Sequence, residues 1–134
     1  MELNNQNEKL KVRYSFIKGS EFDCVELSES KFTNINMSGV LIKDANLSDL
    51  EIFEAQLGGA YIHGIGLPPV GHPAYRDDQG EQRPIRFEQC DMAGSTIKSC
   101  NLKNVSIENC EIEGLTINGI NISELISRYQ AEYK

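Results

Sequence analysis

One rhythm limits what this chain can fold into. Every fifth residue is apolar: Val12, Ile17, Phe22, Leu27, Phe32, Met37, Ile42, Leu47, Ile52, Leu57, Ile62 and Leu67, then Phe87, Met92, Ile97, Leu102, Ile107, Ile112, Ile117 and Ile122. The positions two before these centres, from Leu10 and Ser15 to Leu115 and Ile120, carry no charge either. All 13 basic and 20 acidic residues lie elsewhere. A fixed internal period is the first thing to read in a sequence. Five is neither the helical period of 3.6 nor the strand period of 2.

A period of five suits a chain that turns a corner every five residues, four units closing one square coil. The centre and the residue two before it then point inward and the other three outward. Stacked coils would hydrogen-bond along the axis as parallel strands do, roughly 4.8 Å apart.

The units Ala45-Asn46-Leu47-Ser48-Asp49, Ala55-Gln56-Leu57-Gly58-Gly59 and Cys100-Asn101-Leu102-Lys103-Asn104 resemble the A(D/N)LXX pattern of the pentapeptide-repeat family. The resemblance implies an all-β fold, a right-handed quadrilateral β-helix. It brings no catalytic motif, so the expectation is a non-enzymatic chain with no cofactor.

The rhythm breaks between Val70 and Pro84, a stretch with Gly71, Pro73, Gly80 and Pro84. Gly19, Gly39, Gly59, Gly94 and Gly114 fall on one corner of successive coils only if 70–84 loops out. A column of glycines is what a tight corner with unusual φ demands. The reading is therefore one domain: a polar tail over 1–9, coils 1–3 over 10–69, a loop over 70–84, coils 4–5 over 85–122 and a helical cap over 123–134. Five coils would span roughly 24 Å, with columns such as Leu27, Leu47, Leu67, Leu102 and Ile122 filling the interior. Ser123 is placed to start the helix and Glu124 to favour its first turn. Leu125, Ile126, Tyr129 and Tyr133 share one helical face, a lid over the last coil or a homodimer contact.

The formal net charge of −7 argues against direct nucleic-acid binding, which positive charge drives. It suits a basic protein partner. No apolar run is long enough for a membrane span, and residues 1–9 lack the apolar stretch of a signal peptide, so a cytoplasmic location is expected. Cys90, Cys100 and Cys110 occupy inward positions, and Cys24 a corner. Cys90 and Cys110 lie one coil apart, which would bring them within disulfide reach. The preferred reading is cysteine as a small buried apolar residue, since no CxxC spacing is present.

No nucleophile–base pair, phosphate loop or metal motif is found. His63 and His72 with Asp77 or Asp78 have a metal-like composition, but nothing in the sequence fixes their geometry. The regular Asn36, Asn46, Asp91, Asn101 and Asn121 read as turn residues. The main candidate for specificity is the loop, with His72, Tyr75, Arg76, Asp77, Asp78 and Arg83. A loop of this length in a compact repeat is usually functional or disordered, and Tyr and Arg are enriched at binding hot spots.

The second candidate is an acidic face of Glu21, Asp23, Glu26, Glu29, Asp44 and Asp49. Some pentapeptide-repeat proteins are similar to DNA in shape and charge, bind type II topoisomerases such as DNA gyrase, and protect against fluoroquinolones. The resemblance therefore implies a DNA mimic as the alternative to a general protein-binding scaffold. A duplex ~24 Å long carries ~14 charges, twice the net charge here.

Overall fold

The structure, a computed structural model, describes residues 9–134. Of the polar tail expected over 1–9, only Lys9 lies among them. The chain divides into two units, one ending at Ala60 and one running from Tyr61 to Lys134.

In the first unit the backbone turns a left-handed corner every five residues, in two alternating forms. In one form the carbonyl of a centre accepts from the N–H three residues on: Ile17 from Ser20 (3.1 Å), Leu27 from Ser30 (3.1 Å), Met37 from Val40 (3.1 Å), Leu47 from Leu50 (3.2 Å) and Leu57 from Ala60 (2.8 Å). The third residue of each turn has positive φ: Gly19 at 78°, Glu29 at 60°, Gly39 at 74°, Asp49 at 62° and Gly59 at 77°. That is the signature of a type II turn. In the other form Tyr14, Cys24, Asn34, Asp44 and Glu54 take φ of 51–52°, and no such backbone bond closes the corner. The corner therefore recurs every five residues and its hydrogen bond every ten.

Side chains reinforce several of the bonded corners. In the bonded corners the residue before the centre is often an acceptor that reaches the N–H after it. Asn36 Oδ1 accepts from Ser38 N at 2.9 Å, Asn46 Oδ1 from Ser48 N at 3.1 Å and Glu26 Oε1 from Ser28 N at 2.9 Å. The second unit repeats this: Asp91 holds Ala93 N at 3.0 Å and Asn101 holds Lys103 N at 3.0 Å. Its bonded corners are Met92–Ser95, Leu102–Val105 and Ile112–Leu115. The turns at Asn36, Asn46, Asp91 and Asn101 are Asx turns, in which a short side chain stands in for a backbone acceptor, and Glu26 does the same with a longer one.

After the last corner come the only regular elements among the described residues. Strand β1 (Thr116–Ile117) pairs antiparallel with β2 (Ile120–Asn121), in register Thr116↔Asn121 and Ile117↔Ile120. The connecting residues Asn118 and Gly119 both have positive φ, 48° and 80°. Asn-Gly is the favoured pair for such a two-residue hairpin turn. Helix α1 (Ile122–Glu132) follows directly. Its N-cap is Asn121, not Ser123: Asn121 Oδ1 accepts from Glu124 N at 3.2 Å, and Ser123 Oγ donates to the same oxygen at 2.8 Å. Ile122 N donates back to Leu115 O at 3.0 Å, which ties the helix start to the last corner.

The right-handed quadrilateral β-helix of five coils expected from the sequence is not formed. No ladder of N–H···O=C bonds joins positions one coil apart among the described residues; outside the hairpin, the helix and the Ile122–Leu115 link, the backbone bonds close over three or four residues. The solenoid and its stacked columns fall with it, and so does a lid over a last coil. The physical reason lies in range. A corner is a local conformation that its own five residues specify. Stacking is a non-local pairing that must first meet the entropy of closing each coil.

No described residue is buried. The inward–outward distinction nevertheless survives as a gradient. Centres such as Leu67 and Leu47 are 37% and 44% exposed, while off-phase Phe16 and Tyr14 are 103% and 106% exposed. Cys90, Cys100 and Cys110, expected as small buried residues, are free and exposed, and Cys24 is free and exposed at its corner. No helix is long and apolar enough to cross a membrane among the described residues.

Candidate functional site

The interrupted stretch is held by its own turns. His72 N donates to Pro69 O (3.0 Å), Tyr75 N to His72 O (2.9 Å) and Gln79 N to Arg76 O (3.2 Å), so three turns follow one another. His72 Nδ1 accepts from Ala74 N at 3.1 Å. Gln79 Nε2 then reaches back eleven residues to Pro68 O at 3.1 Å and closes the base. Pro68, Tyr75 and Gln79 are half-buried. The chemistry of the residues accounts for the form. Pro68, Pro69 and Pro73 restrict φ, and Gly71 and Gly80 supply positive φ of 90° and 72°.

This arrangement sets Asp77 and Asp78 at the middle of the last turn, with Arg76 at its start, all three exposed. Tyr75 is drawn partly inward and His72 is engaged in the turns. Arg83 lies beyond them, its carbonyl accepting from Gln82 Nε2 at 3.2 Å. Of the six loop candidates, Arg76, Asp77 and Asp78 share one turn. His63 is elsewhere occupied: its ring stacks on Tyr61, with centroids 4.2 Å apart and planes at 17°. No three His, Cys, Asp or Glu side chains gather as metal ligands among the described residues.

The acidic candidates Glu21, Asp23, Glu26, Glu29, Asp44 and Asp49 are all exposed in the first unit. Their surroundings differ. Both the hydroxyl and the N–H of Ser28 donate to Glu26, and these bonds hold its carboxyl below the usual glutamate range. Asp44 pairs with Lys43 at 3.5 Å. Asp23 accepts a weak bond from the Cys24 thiol at 3.7 Å. Glu29 and Asp49 stand at positive-φ corners.

Across an unbonded-corner unit the residues flanking the centre project to the same side. Arg86 Nε meets Glu88 Oε1 at 3.3 Å, Ser106 Oγ meets Glu108 Oε1 at 2.5 Å, and Tyr61 stacks on His63. The period thus presents residues two apart as outward pairs, an arrangement the sequence pattern contained but the inward-facing reading passed over.

At the C-terminal end Leu125, Ile126, Tyr129 and Tyr133 are all exposed, at 53%, 41%, 63% and 74%. Tyr129 and Tyr133 rings lie 4.7 Å apart. A shallow depression at the hairpin–helix junction is lined by Ile120, Asn121, Glu124, Leu125 and Arg128. Cys90, Cys100 and Cys110 share one local geometry, each thiol donating to the carbonyl two residues before it at 3.2, 3.3 and 3.2 Å.

No family model, curated protein or solved structure matches this chain.

Proposed function

We propose that this chain is a non-enzymatic, cytoplasmic binding protein of the pentapeptide-repeat kind, which meets a protein partner through its 70–84 loop. The observation that carries the reading is the Gln79–Pro68 hydrogen bond across the loop base. With the three internal turns it holds Arg76, Asp77 and Asp78 in one exposed turn. A loop already ordered loses less conformational entropy on binding than a free one. The mixed charge of Arg76, Asp77 and Asp78 suits a partner surface that presents both signs, and the net charge of −7 favours encounter with a basic one.

The test is binding by the full chain, by a 70–84 deletion and by Arg76→Ala/Asp77→Ala/Asp78→Ala, with a loop peptide as competitor. The reading expects one partner retained by the full chain, released by the peptide and lost from both variants. A partner retained equally by all three overturns it.

The second reading, an acidic DNA mimic acting on a type II topoisomerase, is supported by the exposure of all six acidic candidates. It expects inhibition of DNA gyrase supercoiling, or protection from a quinolone, that is weakened by salt and by neutralising Glu26, Glu29 and Asp49, with the loop deletion inactive as a perturbation. The uncovered face of Leu125, Ile126, Tyr129 and Tyr133 supports a homodimer through the C-terminal end, which sedimentation of a Leu125→Glu variant tests.

A further inference from the structure

We propose that Asn118 is a site of spontaneous covalent change, losing its side-chain amide to attack by the Gly119 backbone nitrogen with water as the second reactant. This rests on the hairpin and is independent of the binding role.

One feature of the sequence singles out the pair. Asn118 is the only asparagine of the chain followed by glycine, so the attacking nitrogen has no Cβ beside it. Space around Gly119 is open: an added Cβ would meet nothing within 4 Å. Both residues are exposed at the tip of the β1–β2 hairpin.

Six of the other seven described asparagines are guarded in one of two ways, and the seventh, Asn109, is followed by Cys110, whose Cβ stands beside the attacking nitrogen. The side chains of Asn36, Asn46, Asn101 and Asn121 are engaged, each Oδ1 accepting from a backbone N–H two or three residues on. Asn34 and Asn104 are followed by β-branched Ile35 and Val105, which crowd the nitrogen.

The step balances without an oxidant or reductant. The Gly119 nitrogen forms a bond to Asn118 Cγ, the Cγ–Nδ2 bond breaks, and ammonia leaves with the Gly119 amide proton. The resulting five-membered imide takes up one water. Opening at the Cγ–N bond gives aspartate in a normal backbone. Opening at the other carbonyl gives isoaspartate, whose backbone runs through the former side chain and is one carbon longer. A two-residue turn holding Ile117 opposite Ile120 has no room for that carbon. Isoaspartate therefore unpairs β1 from β2, next to the Asn121 cap of α1.

The test incubates the full chain, folded and in denaturant, in mildly alkaline buffer, and follows each asparagine by peptide mass spectrometry with isoaspartate detection. In the folded chain, position 118 is expected to convert ahead of every other asparagine, with isoaspartate in the product. An Asn118 that stays intact in the folded chain while converting in denaturant overturns the proposal, as does faster conversion at any other asparagine. Asn118→Asp separates the consequences, because it adds the same charge yet Asp-Gly keeps the turn. Nuclear Overhauser contacts between Thr116 and Asn121 are expected to persist in that variant and vanish in the isoaspartate form. Their survival in the isoaspartate form overturns the unpairing.

Discussion

Asn36 Oδ1 accepts two hydrogen bonds from Ser38, one from its backbone N–H at 2.9 Å and one from its hydroxyl at 2.7 Å. The pair straddles the centre Met37 and closes the corner whose backbone bond runs from Val40 N to Met37 O. Asn36→Ala removes the acceptor and leaves the corner its backbone bond alone. At about 1 kcal/mol for such a bond, amide exchange at Ser38 is expected to speed up about fivefold. Asn36→Asp keeps the acceptor and is expected to preserve protection. Exchange read residue by residue checks both.

Glycine at the corners gives a second prediction. Gly39 holds φ at 74°, and alanine there is strained by about 1–2 kcal/mol. Gly39→Ala is expected to weaken the Val40–Met37 turn. Glu29 occupies the equivalent corner at 60° without glycine's freedom, so Glu29→Gly is expected to strengthen the Ser30–Leu27 turn. The amide temperature coefficients of Val40 and Ser30 report these changes in opposite directions.

Glu26 gives a pH prediction. The Ser28 hydroxyl and N–H favour its ionised form and lower its pKa. A depressed pKa in the folded state means that the link is fully present above the unfolded value and is lost as pH falls through the folded one. The Glu26–Ser28 turn is thus expected to survive at neutral pH and to open in acid, below the ordinary glutamate range. Ser28→Ala removes the hydroxyl bond and is expected to raise the Glu26 titration midpoint, read from its side-chain carbon shift.

Helix α1 depends on its cap. Asn121→Ala leaves Glu124 N–H without its partner and is expected to cost about 1 kcal/mol of helix stability. Ser123→Ala leaves that bond in place and is expected to cost less. The helical circular dichroism of the two variants, compared during warming, decides between the caps.

The Gln79–Pro68 link is testable by proteolysis. Gln79→Ala frees the base of the loop and is expected to increase trypsin cleavage after Arg76 several-fold, while sites in 9–60 cleave at unchanged rate. Equal cleavage in both proteins would show that the link does not order the loop.

The corners were legible in the sequence because five residues suffice to make one. Gly19, Gly39, Gly59, Gly94 and Gly114 announce positive φ, and all five have it, at 78°, 74°, 77°, 72° and 74°. Asn36, Asn46, Asp91 and Asn101 announce turns and make them. Two features were present but unread. The acceptor before the centre recurs at Glu26, Asn36 and Asn46, which marks the ten-residue alternation. Asn118-Gly119 between apolar residues marks the hairpin, and once β2 ends at Asn121 that residue takes the cap from Ser123. The loop's order was not legible, because Gln79 and Pro68 are eleven residues apart and nothing in either residue's neighbourhood names the other. Coil stacking, read from the period, was an inference from local corners to non-local pairing, and the backbone bonds stop at the corners.

The five-residue period is expressed as local corners without pairing between coils. Nuclear Overhauser and amide-exchange measurements on residues 9–60 test it most directly. Sequential contacts across each corner, such as Met37 to Val40, modest protection at Ser20, Ser30, Val40, Leu50 and Ala60, and no contacts between positions one coil apart are expected. Backbone contacts joining Leu27 to Leu47, or strong protection at every centre from Ile17 to Leu57, would contradict it.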